Sequence, residues 1–171
     1  MSRTDLASAA CDQACSPAPI DETDLKRCPV SGTIGGSVDL VTLKALLTGV
    51  ALRRLNGRAY RFCPDPCCDL VYFDRRADSV FGKDDLRVRV GVKETEDPIP
   101  VCYCFDFTIA DLRNDIANRG ETDIPASITA EIQAGHCACE VRNPRGSCCL
   151  GDISRALEAL RSETGLDTTA S

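Results

Sequence analysis

Cysteine is the residue in this sequence with chemistry to offer: there are twelve, against one His and one Met. Six of them lie between Val101 and Gly151, as Cys102 and Cys104 in VCYCF and as Cys137, Cys139, Cys148 and Cys149 in AGHCACEVRNPRGSCCLG. A polar, helix-like stretch without cysteine separates the two groups. Sulfur delivered from two ends of such a stretch suits a two-metal centre. Cys102 and Cys104 can ligate one iron of a 2Fe–2S cluster, and two of the far cysteines can ligate the other. A zinc ion on the same sulfurs is the main competitor, because sulfur ligation alone does not separate zinc from iron–sulfur. Disulfides fit less well. Cysteines one or two positions apart make strained partners, since the bond needs Cα atoms about 4.4–6.8 Å apart and suitable Cβ directions.

A 2Fe–2S cluster on four thiolates is anionic and needs N–H donors and positive dipole ends around it. Helix N-termini supply both. The loop after Cys104 leads into one predicted helix, and Cys149 stands at the start of another. Between them, Asn143-Pro144-Arg145-Gly146 reads as a tight turn that folds Cys139 back beside Cys149. Arg142 and Arg145 can offset cluster charge or stand as ordinary surface residues. His136, next to Cys137, is a variant ligand, a donor to a ligand or a surface residue.

The remaining composition narrows the class. Aromatic residues make up 5% of the chain and Trp is absent, so the core is aliphatic and thin for 171 residues. Bound metal then helps to hold it. A net charge of −6 argues against nucleic acid as a main partner. No charged-then-apolar leader and no apolar run of membrane-spanning length is visible, which predicts a cytoplasmic protein without membrane insertion. Cysteines in that compartment read as metal ligands.

The positioning elements follow from pattern. Residues 1–27, rich in Ser, Ala, Asp and Pro, predict a disordered tail that carries Cys11 and Cys15. Residues 28–92 predict a small α+β module. Cys28 opens the knuckle CPVSG, and Ser37 is placed to cap a helix over VDLVTLKALL that ends near Gly49. Tyr60, Phe62 and the run Leu70 to Phe73 predict strands on either side of the CPDPCCD loop. The alternation of LRVRVGV, residues 86–92, predicts a half-buried strand with Arg87 and Arg89 on its wet face. KETEDPIP, residues 93–100, predicts a linker. Residues 101–163 predict a helical module. Thr108 and Asp111 form a capping box, Gly120 ends that helix, Thr122 or Asp123 starts the next ahead of Pro125, and Gly135 ends it. A third helix after Cys149 turns Ile153, Leu157 and Leu160 inward, and residues 164–171 predict a fraying tail.

VCYCF and AGHCACEVRNPRGSCCLGDI resemble the N-terminal region of CopZ-type copper chaperones, whose cluster-binding part is similar to bacterioferritin-associated ferredoxin (BFD-like). CPVSG, YRFCPDPCCDLVYF and LRVRVGVKE resemble the zinc-binding module ahead of it, so the likeness covers about residues 28–160. It implies an α+β fold with a zinc module followed by a helical 2Fe–2S module. It also implies two cofactors, zinc and a 2Fe–2S cluster. Cys102 and Cys104 match the first cluster pair. Cys149, directly before a helix, matches the last ligand, and Cys139 pairs with it across the NPRG turn. Cys137 and Cys148 remain alternates. Cys28, Cys63 and Cys68 match the zinc ligands. Cys67 is the first candidate for the fourth position, with Asp65, Asp69, Cys11 and Cys15 behind it.

The resemblance implies an electron-transfer or copper-handling protein. Its cluster passes one electron, reducing Cu(II) to Cu(I), to the benefit of a copper-binding acceptor or a redox partner. The sequence contains no Met-x-Cys-x-x-Cys copper loop, which sets direct copper delivery apart from the redox reading. Two other readings stand beside it: a non-redox zinc scaffold for a protein partner, and a sensor that reports cluster loss. No Ser–His–Asp set or phosphate loop points to an enzyme.

Overall fold

The computed structural model describes residues 24–74, 76 and 78–164. Cys11, Cys15 and most of the two expected tails therefore lie outside the described residues. Residues 24–27 depart from the expected tail: Asp24–Lys26 form a 3-10 turn and Arg27 bridges Ile34.

The N-terminal half is built on a four-stranded antiparallel sheet in the order β1 (Gly36–Val38), β2 (Tyr60–Phe62), β3 (Leu70–Asp74), β4 (Val80–Gly82). The aromatic and β-branched residues that predict β2 and β3 pair there, with Phe62 opposite Tyr72 and Tyr60 opposite Asp74. β3 is buried on both faces. Tyr72 joins the main core with Leu43, Leu47, Tyr60 and Phe81, whereas Phe73 packs on Cys28, Cys63 and Cys68. Asp74, fully buried, accepts from the backbone N–H groups of Arg76 and Asp78, 3.0 Å each, and so closes the β3–β4 turn.

Two local expectations are corrected here. Helix α1 (Leu40–Leu46) starts after Asp39, not Ser37, because Ser37 is taken up by β1 opposite Arg61. Gly49 does not end that helix. It opens a second short helix, α2 (Gly49–Leu52), capped by Thr48, whose hydroxyl accepts from the Ala51 N–H.

Residues 86–92 are not a strand. Only Leu86 makes a bridge, to Leu47, and Gly91–Lys93 form a 3-10 turn. The wet-face arginines explain why. Arg87 donates to Leu47 O, and Arg89 donates to Pro98 O and Glu96 O, so their side chains satisfy loop carbonyls that a strand would have paired. The predicted linker is correspondingly a packed strap. Lys93 is buried, and Glu94 pairs with Arg89 at 2.8 Å and with Lys83 at 3.6 Å. A Cβ on Gly91 would sit 1.9 Å from Pro100 O, so only glycine allows the strap to lie this close to the following strand.

The C-terminal half begins with the two-stranded β5 (Pro100–Cys102) and β6 (Phe107–Thr108). Thr108 and Asp111 make the expected capping box on α3 (Ile109–Arg119), and Gly120 ends it at φ 76°. Helix α4 (Ile124–Gln133) carries Pro125 in its first turn. Helix α6 (Leu150–Thr164) follows Cys149, and buries Ile153, Leu157 and Leu160 against Leu112, Ile116 and Ile128. A four-residue helix, α5 (Cys139–Arg142), was not foreseen. It packs on α1 and ties the halves together. Thr42 Oγ1 donates to Glu140 O at 2.6 Å, and the buried Tyr72 hydroxyl donates to Pro144 O at 2.8 Å. No helix among the described residues is long and apolar enough to cross a membrane.

Candidate metal centres

The first centre sits at one edge of the sheet. Cys63 directly follows β2, Cys68 precedes β3, and Cys28 comes from the knuckle before β1. All three are buried, and their sulfurs lie within 4.8 Å of one another. Zn–S bonds of about 2.3 Å in a tetrahedron place sulfurs about 3.8 Å apart. Cys28 and Cys68 are 3.8 Å apart, so the donor set fits a zinc ion without rearrangement. Burial pushes the Cys68 thiol up to about 11. For Cys28 burial acts the same way, but hydrogen bonds from Ser31 and Val30 outweigh it and lower the thiol. The knuckle thus makes Cys28 easier to deprotonate than an ordinary thiol, and Cys68 harder.

Two residues here have no counterpart in the sequence reading. Ser31 Oγ lies 3.5 Å from Cys63 Sγ, and it also accepts from the Thr33 N–H at 3.3 Å. The spacing of CPVS, three residues from Cys28, is that of a zinc knuckle with oxygen in place of the second sulfur, and this is the signal that could have found it. Lys93 reaches in from the strap, and its Nζ donates to Asp65 O at 2.7 Å and Cys68 O at 2.8 Å. Nothing in KETEDPIP marks that lysine as buried. The candidates for a fourth ligand are arranged otherwise. Cys67 is exposed and outside the sulfur group, as is Asp69. The Asp65 carboxylate accepts from Thr33 Oγ1 and the Cys67 N–H.

The second centre joins the β5–β6 turn to the loops around α5. Cys102 closes β5, and its sulfur lies 3.3 Å from that of Cys149, which immediately precedes α6. Cys104, in the turn, lies 3.8 Å from Cys139 at the start of α5. The short spacing of Cys102 and Cys104 predicts that they share a metal, but the structure sets each against a cysteine from the far end. Cys137 Sγ is 3.2 Å from Cys139 Sγ, and the Cys104, Cys137 and Cys139 sulfurs lie within 4.8 Å. Cys148 is exposed.

Four sulfurs in two facing pairs, mostly withdrawn from solvent, fit a 2Fe–2S cluster. Backbone donors are in place as well. The Ala138 N–H donates to Cys104 Sγ at 3.4 Å, and the backbone N–H groups of Cys104 and Phe105 serve the Cys102 sulfur, whereas those of Asp152 and Ile153 at the head of α6 are used on the carbonyl of Cys149. A hydrogen bond from Cys149 holds Cys102 down at about 6, and the same bond raises Cys149. Burial raises Cys104, and burial with the neighbouring Cys137 and Cys104 raises Cys139. Asn143 holds the turn between these cysteines: its side chain donates to Ser147 O at 2.8 Å and accepts from the Arg145 N–H at 3.0 Å. Arg145 lies over the Phe62 ring and pairs with Asp152 at 3.3 Å, while Arg142 is exposed. His136 Nδ1 pairs with Glu131 Oε2 at 2.6 Å on the surface.

Residues 25–87 match the zinc binding domain family of CopZ type (zf_CopZ). The copper chaperone CopZ of Archaeoglobus fulgidus is 35% identical over 131 residues, which cover 77% of this chain and 61% of that protein. The match thus spans less than two thirds of the chaperone's length. The X-ray structure of the A. fulgidus CopZ N-terminal domain superposes with a TM-score of 0.63 at 35% identity, covering 75% of this chain and 95% of that one.

Proposed function

We propose, from the premise that this chain belongs to the family of the CopZ N-terminal domain, that it handles copper with two metal centres of different kinds. Residues 28–92 form a zinc module held by Cys28, Cys63 and Cys68. Residues 101–163 form a BFD-like module in which Cys102, Cys104, Cys139 and Cys149 hold a 2Fe–2S cluster. When bound, such a cluster stores and releases one electron, which is the reducing equivalent that converts Cu(II) to Cu(I). The protein residues withdraw the sulfurs from water, donate N–H bonds to them, and fix their separation through the Asn143 turn. The observation that carries this reading is the pairing of Cys102 with Cys149 and Cys104 with Cys139. The Cu(I) product passes to a copper-binding acceptor, and the protein acts in the cytoplasm.

The test is anaerobic. Purified protein is analysed for iron, acid-labile sulfide and zinc, then reduced with dithionite, desalted and mixed with Cu(II). The expected result is two irons and two sulfides per chain, about the content of one 2Fe–2S cluster, an electron paramagnetic resonance signal on reduction, and Cu(I) captured by a chelator as that signal disappears. Colourless protein holding only zinc would leave the zinc-scaffold reading. A cluster that stays reduced beside Cu(II) would leave a plain ferredoxin or a sensor.

A further inference from the structure

Five thiols converge where a 2Fe–2S cluster takes four. Cys102 and Cys149 face each other across one side. On the other, Cys104, Cys137 and Cys139 form a single sulfur group, and the closest contact in it is between Cys137 and Cys139 at 3.2 Å. That separation is far longer than the roughly 2.05 Å of a disulfide, so both remain free thiols. Their settings differ. Cys139 is buried at the head of α5, whereas Cys137 is half-buried on the solvent side, between the left-handed Gly135 and α5. The other nearby donors do not compete for this role. Cys148 and His136 are both exposed and outside the sulfur group.

We propose that Cys137 is a reserve thiol of this centre: it exchanges with Cys139 as ligand to one iron, and whichever thiol is off the iron takes a Cu(I) ion. The inference rests on the cluster reading above. Thiolate is the soft donor that selects Cu(I). In the exchange one thiolate binds iron as the other leaves it, and the proton passes from the incoming thiol to the outgoing thiolate. Cu(I) then forms one Cu–S bond in place of the ligand that delivered it, the thiol proton leaving to water, and no electron moves in either step. A single protein thiolate at the rim leaves copper open to a second thiolate from an acceptor, which is the arrangement that transfer requires.

The experiment uses the full chain, reconstituted anaerobically, as wild type and as Cys137→Ser, Cys139→Ser, the double variant and Cys102→Ser. Iron, sulfide and the paramagnetic spectrum are read first. Both single variants of the exchanging pair should keep the cluster, and Cys139→Ser should keep the spectrum of four thiolate ligands, whereas a spectrum changed by serine oxygen in place of a thiolate would overturn the exchange. The double variant and Cys102→Ser should lose it. Cu(I), added as its acetonitrile complex against a competing chelator, should bind to Cys137→Ser with about one equivalent fewer per chain than to wild type. Loss of the cluster in Cys139→Ser overturns the exchange, and equal Cu(I) uptake by Cys137→Ser overturns the copper site. A wild type that takes up no cluster overturns the proposed function itself, and the exchange with it.

Discussion

The two halves present sulfur in opposite ways. In the N-terminal half three thiols rise from the margins of a sheet, all of them buried, and the groups around them are engaged. Lys93 is bonded to two loop carbonyls, Asp65 to Thr33 and Cys67, and Ser31 to the knuckle. In the C-terminal half the thiols come from turns and helix starts. Cys104 and Cys137 are only half-buried, and even with the exposed Cys148 set aside the thiols that converge number one more than a 2Fe–2S cluster would use. A closed donor set on a rigid sheet suits a metal that stays. An open set with a spare donor suits ligand exchange. The halves nonetheless share a seam: Gly146 sits at φ 66° against Thr42, where an added Cβ would lie 2.9 Å from the hydroxyl.

The largest effect that would sharpen this contrast comes from Cys63→Ser. Cys63 is fully buried between Cys28, Ser31 and Phe73. Its loss should release zinc and remove much of the metal's folding contribution from residues 28–92, which for structural zinc is on the order of 10 kcal/mol of binding free energy. Because Tyr72 and Thr42 bond directly to the segment carrying the far cysteines, the cluster should also become easier to lose. Zinc content, thermal unfolding and iron retention report the three effects. Full zinc occupancy in this variant would remove Cys63 from the ligand set. Unchanged cluster retention would show that the seam does not couple the halves.

Lys93→Met should be the next largest. The variant keeps most of the buried aliphatic volume but leaves the carbonyl of Cys68 without its side-chain donor and that of Asp65 with only the Cys68 N–H at 3.3 Å. An unmade hydrogen bond at a buried group costs about 1–3 kcal/mol. The expected result is a lower unfolding midpoint and faster zinc loss to a chelator, with the cluster spectrum unchanged. Equal zinc loss rates in variant and wild type would mean that the strap does not hold the zinc loop.

Why the sequence disclosed one half better than the other follows from where its signals lie. Caps and periods are local, so the Thr108–Asp111 box, the Gly120 and Gly135 endings and the apolar stripe of α6 could be read directly. The strands β2 and β3 announced themselves through aromatic residues. Residues 86–100 misled, because alternation and charge suggested a strand and a linker. Long-range bonds decided otherwise: Arg87 and Arg89 satisfy carbonyls, and Lys93 is drawn inward by two more. The NPRG turn is legible in the sequence, but it does not by itself fix the partners: Cys139 faces Cys104 and Cys149 faces Cys102, a pairing that depends on α5, which spacing along the chain does not encode.

The smallest effect on folding, and the most direct probe of the closed centre, is expected from Ser31→Cys. Ser31 stands at the knuckle position from which a second sulfur would normally come, with its oxygen 3.5 Å from Cys63 Sγ. On the proposed zinc reading the wild-type set is the three thiolates of Cys28, Cys63 and Cys68, with the Ser31 oxygen beside them. Serine and cysteine differ little in volume, and the turn is fixed by Gly32 N–H to Cys28 O at 2.9 Å. The substitution should therefore leave the fold intact and change the donor set alone. Substitution with Co(II) makes the change visible, because charge-transfer absorption grows with each thiolate bound. The variant should gain about a third in that band relative to wild type and hold zinc more tightly against a chelator, as expected for a complete four-sulfur site. An unchanged band would mean that a fourth sulfur already binds in the wild type, with the exposed Cys67 as the source, and the closed centre would then be more adaptable than its burial suggests.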